Sequence, residues 1–242
     1  MIRQAVESDF AFPADCESAI RLHALKTAYG LQTPFLRFFT DGEAVLSLMD
    51  CFAVLYAPHA MTEEFRSFLS FYSDIHTVRT DANTADAVAN ALGGAPRQGS
   101  VMRFDGDLPS DLPLTDAAKA EELYALLREN FSTMPPFDSW YVDFSHRLRH
   151  DIGRYAAIVR DGHPVSIALT VAETPTAVLL GGVATAPAWR HHGFASACVR
   201  TLVAGFRGER EVYIAPVDAT AAALYHKIGF VPVGTWAEID RR

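Results

Sequence analysis

The chain is poor in the features that mark unusual protein classes. It has three cysteines, Cys16, Cys51 and Cys198, an odd number set far apart, which argues against a disulfide framework. No apolar run approaches the roughly 20 residues of a membrane span. The opening residues MIRQAVESDF lack the apolar core of a signal peptide, so the expected compartment is the cytosol, with no membrane partner. Positive charge is also scarce, at 21 Lys and Arg against 29 Asp and Glu, a net charge of −8. The deficit lies in the first 114 residues, which hold 8 basic against 15 acidic side chains; the remainder holds 13 against 14. A general nucleic-acid groove needs a basic surface and is excluded, whereas an anionic ligand sits more easily on the second half. Half of the residues are hydrophobic and only 21% are charged, the composition of a folded chain. Its 242 residues suffice for one large or two small domains with proper cores.

What is present centres on residues 183–206, VATAPAWRHHGFASACVRTLVAGF. A strand ends there, the chain breaks at Pro187, and a loop from Arg190 to Ala195 runs into a helix whose apolar side chains, from Ala195 through Cys198, Val199, Leu202 and Val203 to Phe206, fall at three-and-four spacing. The first N–H groups of a helix lack internal partners and carry the positive end of its dipole. Gly193 and Ala195 let an anion approach the main chain, and Arg190 adds a cation. The stretch reads as a phosphate cradle. Cys198, on the buried stripe, reads as a small core residue.

Taken in order, the chain predicts a helix over 15–29, strands at 35–40, 43–49 and 52–57, a helix capped by Thr62, a strand at 75–79, a helix at 84–92 and a last strand at 101–104. The acidic, proline-bearing stretch 105–114 reads as a linker. Beyond it come helices at 116–130 and 138–150, strands at 155–160, 165–172 and 176–185, the helix after Gly193, a short strand at 211–215, a helix from Asp218 to Ile228 ended by Gly229, and a final strand at 230–239. Hairpins at Asp41-Gly42 and Asp161-Gly162 give antiparallel pairs, and the later strand–helix–strand steps give parallel ones. The expectation is an α/β (α+β) protein of two similarly built domains, 1–108 and 109–242, each a mixed, mostly antiparallel sheet flanked by helices.

Two motifs carry a family resemblance. The RHHGFA turn resembles the acyl-CoA-binding Q/R-x-x-G-x-G/A motif of the GNAT superfamily of N-acyltransferases, with Arg190, Gly193 and Ala195 at the defined positions. DATAAALYHKIGF resembles that family's N-x-x-A-x-x-x-Y-x-x-x-G-F, matching at Ala221, Tyr225, Gly229 and Phe230, with Asp218 where Asn is common. The resemblance is sharp from about 177 to 231 and implies a GNAT-like fold, acetyl-CoA or another acyl-CoA as co-substrate with no metal, and an amine acceptor, small molecule or peptide. It implies that main-chain groups of Val183, Ala184 and Thr185 hold the pantetheine, near Gly181 and Gly182. Arg190 and the amides of His191, His192, Gly193, Phe194, Ala195 and Ser196 would then hold the pyrophosphate, with Asp218 completing the donor site. Tyr225 would protonate the leaving thiolate.

Several alternatives stay open at this level. The segment 176–189 has no carboxylate to act as base; Glu173 or a water chain are candidates. Tyr225 is also a plausible core aromatic, and the side chains of His191 and His192 read equally as solvated. His146 and His150 have the spacing of metal ligands on one helix face, though a solvated polar face explains them as well. Trp140 and Tyr141 fit either an acceptor site or a core. The loop at 57–62 lacks the Arg and glycines of the cradle, so the first half is expected to be a degenerate copy. The competing functional reading is a non-catalytic acyl-CoA sensor or scaffold.

Overall fold

The computed structural model describes residues 1–108, 115–206 and 208–242, so the expected linker at 105–114 falls largely outside the described residues. The elements are β1 (Arg3–Gln4), α1 (Glu17–Tyr29), β2 (Leu36–Thr40), β3 (Val45–Met49), β4 (Phe52–Tyr56), α2 (Glu63–Phe71), β5 (Thr77–Asp81), α3 (Ala85–Leu92), β6 (Pro96–Phe104), α4 (Ala120–Asn130), α5 (Phe137–Arg149), β7 (Tyr155–Arg160), β8 (His163–Glu173), β9 (Ala177–Thr185), α6 (Phe194–Ala204), β10 (Glu211–Ile214), α7 (Ala219–Ile228) and β11 (Phe230–Asp240). Among the described residues no helix is long and apolar enough to cross a membrane.

The chain folds as two compact units, Met1–Val101 with Pro232–Arg242, and Met102–Val231. In the first unit, β1 to β4 form an antiparallel meander, β5 runs parallel to β4, and β11 closes on β5 antiparallel, from Trp236 opposite Asp81 to Asp240 opposite Thr77. The turn between β2 and β3 is tied by Asp41, whose Oδ1 accepts from the amides of Glu43 and Ala44, both at 2.9 Å. Strand β3 is buried at four successive positions because helices cover both faces. Leu46, Leu48 and Leu55 pack with Phe65 and Leu69 of α2 and Val88 of α3, while Val45 and Val54 pack with Leu22 of α1 and Phe38.

In the second unit, β7, β8 and β9 are antiparallel, β10 is parallel to β9, and Met102 and Arg103 of β6 pair antiparallel with Ile214 and Tyr213 of β10. The expected periodicity of α6 is met: Cys198, Val199, Leu202 and Val203 are buried in one core with Val178, Leu180 and Phe206. Helices α4 and α5 build a separate core on Ile167, Leu169 and Ala184 through Leu123, Leu127 and Trp140. Each unit is a mixed, mostly antiparallel sheet flanked by helices, as the element pattern implied.

The structure departs from the sequence reading at three points. Strand β6 begins five residues early, at Pro96 rather than residue 101. Helix α4 begins late, because Asp116 is strapped to β7, donating its N–H to Ala157 O at 3.0 Å and accepting from Val159 N–H at 2.7 Å on Oδ2. The strand taken as the last of the second domain, β11, completes the first unit from Pro232 onward, and the end of β6 completes the second, so the two-block division at residue 108 does not hold for these strands.

Candidate active site

Strands β9 and β10 pair from Ala177–Glu211 to Leu180–Ile214, and there the ladder ends. Pro216, which has no N–H to donate, follows β10 almost at once, while β9 runs on to Thr185 with β8 alone beside it. The two parallel strands therefore part, and the main chain of residues 181–185 lacks a β10 neighbour. Within this segment the β8–β9 register slips by one residue between Leu169–Gly181 and Ile167–Ala184, a bulge. Gly182 lies in it with φ of +54°, and a Cβ there would fall 2.7 Å from Leu169 Cδ1. A larger residue there would strain the backbone and displace the Leu169 side chain.

After β9 a single tight turn, Pro187–Trp189, leads to the loop. Two of its residues, His191 (φ +66°) and the helix cap Gly193 (φ +80°), are left-handed. No side chain caps α6, so the amides of its first turn carry the dipole's positive end outward. Arg190 is exposed yet held: its Nη2 donates to Asn130 Oδ1 at 3.0 Å and its Nε to Thr185 O at 3.3 Å. His192 turns back, with Nδ1 2.8 Å from Arg190 O.

Helix α7 is capped by Asp218, whose Oδ1 accepts from Ala221 N–H at 2.8 Å. Two turns on, Tyr225 is only 6% exposed, and its hydroxyl has no protein partner among the described residues. Burial, then the nearby Asp218 charge, push its pKa up, so the phenol stays protonated at neutral pH.

One groove of about 440 Å³ gathers Val183, Thr185, Arg190, His191, Gly193, Phe194, Ala195, Ser196, Asp218 and Tyr225, with Asn130, Phe131 and Trp189. Of the residues named from sequence, Ala184 and His192 are not in its wall; Ala184 is buried against Ile167 and Leu169. Asn130 and Phe131 were not foreseen, since only tertiary packing brings the end of α4 to the loop. A second cavity, of about 320 Å³, is lined by residues of α4, α5, β8 and Gly182, and includes Trp140 but not Tyr141.

Glu173 lies outside both walls. Its Oε1 accepts from Thr170 Oγ1 at 2.8 Å and its Oε2 from Arg210 Nη1 at 2.9 Å, a buried ion pair that removes it as a candidate base. His150 Nδ1 lies 2.8 Å from the His146 carbonyl, and no cluster of three potential metal ligands occurs among the described residues. Cys198 is a core residue, its thiol pushed up to about 11 by burial.

Residues 120–230 match the family model described as "Acetyltransferase (GNAT) family". The second unit carries a GNAT-family domain. The whole chain is similar in fold to solved GNAT structures. A GCN5-related N-acetyltransferase from Sphaerobacter thermophilus is 19% identical with a TM-score of 0.65, over 99% of this chain and 94% of that one. One from Kribbella flavida is 17% identical with a TM-score of 0.63, over 93% and 95%. A tandem GNAT protein from the clavulanic acid biosynthesis pathway is 15% identical with a TM-score of 0.55, over 92% and 93%. Because these likenesses span the chain, the first unit is GNAT-like in fold too. No curated protein sequence matches. The GNAT family is one of acyltransferases that use acyl-CoA as co-substrate, and the groove just described lies within its domain.

Proposed function

We propose that the second unit is an N-acyltransferase that moves an acetyl or related acyl group from acyl-CoA to an amine, with the 440 Å³ groove as the donor site. The observation that carries this reading is the parting of β9 from β10 after Leu180 and Ile214, directly beside an uncapped helix N-terminus. A pantetheine arm is itself a chain of amides, and it fits as a strand substitute against main chain that has lost its neighbour. The pyrophosphate then meets the amides of residues 193–196 and Arg190.

The chemistry needs little more. The amine nitrogen attacks the thioester carbon, and main-chain amides of β9 polarise the carbonyl oxygen as the tetrahedral intermediate forms. The C–S bond breaks, and the departing thiolate takes the phenolic proton of Tyr225, the one protonated, unpartnered hydroxyl buried in the groove wall. The ammonium proton leaves to solvent, which restores the phenol.

The test is calorimetric titration of acetyl-CoA into the full chain and into Gly193→Glu. A Cβ at Gly193 meets no atom within 4 Å, so the glutamate side chain has room; the backbone bears the strain of φ +80°, about 1–2 kcal/mol, and the charge lies where the phosphates would bind. Binding by the wild type and its loss in the variant are expected; equal affinities would overturn the donor assignment.

A further inference from the structure

The second cavity and the donor groove meet on adjacent residues: the cavity ends at Gly182, the groove begins at Val183, and Phe131 borders both. A group leaving the cavity at the β9 bulge therefore arrives where a thioester lying along β9 would present its carbonyl. The cavity's walls state what it accepts. Phe131, Met134, Trp140, Phe144, Leu148 and Leu169 make it largely apolar. Its three charged side chains are already engaged: Arg147 Nε donates to Asp143 Oδ1 at 2.8 Å and Nη1 to Val171 O at 3.0 Å, while Arg154 Nη1 donates to Gly205 O at 3.2 Å and its guanidinium lies over the Phe206 ring. At about 320 Å³ it lies at the small end of ligand cavities, which span roughly 300–1,000 Å³.

We propose that this cavity holds the acyl acceptor, and that the acceptor is a small primary amine with an aromatic or branched aliphatic body. The inference rests on the donor assignment above. The apolar body fills the space between α4 and α5, and the nitrogen points to the bulge at Gly182. A polycation finds no run of carboxylates there, and a peptide or aminoglycoside exceeds the volume. A long acyl tail is the rival occupant, and the comparison of decanoyl-CoA with acetyl-CoA below separates the two.

The experiment uses the full chain saturated with CoA. 2-Phenylethylamine and isoamylamine are titrated calorimetrically, with spermidine and a lysine peptide as comparisons, into wild type and Leu148→Trp, in which the added ring occupies the cavity. Wild type is expected to bind the two apolar amines at least about tenfold more tightly than the comparisons, and Leu148→Trp to weaken them about tenfold while its CoA affinity is unchanged. Thiol release from acetyl-CoA with the same amines gives the second readout, and decanoyl-CoA against acetyl-CoA the third. Absence of apolar-amine binding in a protein that binds CoA overturns this inference alone. A Leu148→Trp effect confined to decanoyl-CoA assigns the cavity to the acyl tail and overturns it too. Amine binding without thiol release leaves the cavity assignment standing and sinks the catalytic reading, and failure to bind CoA sinks the donor assignment.

Discussion

Thr62 and Asp41 close the first unit's counterpart of the cradle: the Thr62 hydroxyl donates to Asp41 Oδ2 at 2.7 Å and accepts from Phe65 N–H at 3.1 Å. The N-terminus of α2 thus has a side-chain cap and a carboxylate of its own, where α6 has neither. Burial pushes Asp41 up, but the Ala44 amide, the Thr62 hydroxyl and the Glu43 amide together hold its carboxyl below the usual range, so it is an anion at neutral pH. Strands β4 and β5 also stay paired to Leu55–Thr80, which leaves no gap between them. One acyl-CoA per chain is expected. Calorimetric stoichiometry checks this, and Thr62→Val should leave it at one; two sites per chain would show that the first unit also binds.

Tyr225→Phe removes the hydroxyl and keeps the packing of the ring against Phe230. CoA affinity should change less than about twofold, while kcat falls on the order of a hundredfold if the phenol supplies the proton. Because the Tyr225 pKa is raised above its ordinary value of about 10, the wild-type rate should show no loss from phenol ionisation below that pH. A variant with wild-type turnover would reduce Tyr225 to a core aromatic.

Gly182 and Gly162 offer a matched comparison. Both have positive φ, but a Cβ at Gly162 meets nothing within 4 Å, whereas at Gly182 it meets Leu169. Gly162→Ala should cost about 1 kcal/mol, the strain of the dihedral alone. Gly182→Ala should cost about 2–4 kcal/mol, because overpacking adds to it. Denaturant midpoints of the two variants measure the difference, and acyl transfer should suffer only in Gly182→Ala.

Glu17 carries a stability prediction. It is fully buried, and its Oε1 meets Arg79 Nη2 at 3.0 Å and Arg21 Nε at 2.6 Å. Burial pushes its carboxyl up, and the two guanidiniums pull it down by more, so its folded pKa is below the unfolded one. Such a group contributes stability above its unfolded pKa and loses it as pH falls through the folded value, so acid should weaken the first unit. Arg79→Met should cost about 3 kcal/mol, since Arg21 still partners the charge, and Glu17→Met with Arg79→Met should recover most of it. Urea titrations at neutral and acid pH check both.

Local chemistry made most of the elements legible. The apolar spacing after Gly193 gave α6 and its buried stripe, and the cap at Asp218 with Gly229 bounded α7. The groove residues were legible because the loop and the Tyr225 motif are short contiguous stretches. What escaped is set by long-range packing. The Asp116–Val159 strap delays α4, Arg210 claims Glu173, and the end of α4 meets Arg190 through Asn130. None of these leaves a mark in a window of neighbouring residues.

The exchange of last strands between the units bears on how the molecule is made. Thr77 Oγ1 donates to Asp240 Oδ1 at 2.8 Å across 163 positions of chain, so the first unit's sheet is finished by residues that leave the ribosome after the entire second unit. The first unit must wait with an open edge at β5, and no single cut of the gene yields two complete halves. Separate expression of residues 1–101 should therefore give an aggregation-prone fragment, and the same residues joined by a short linker to 232–242 should give a soluble one.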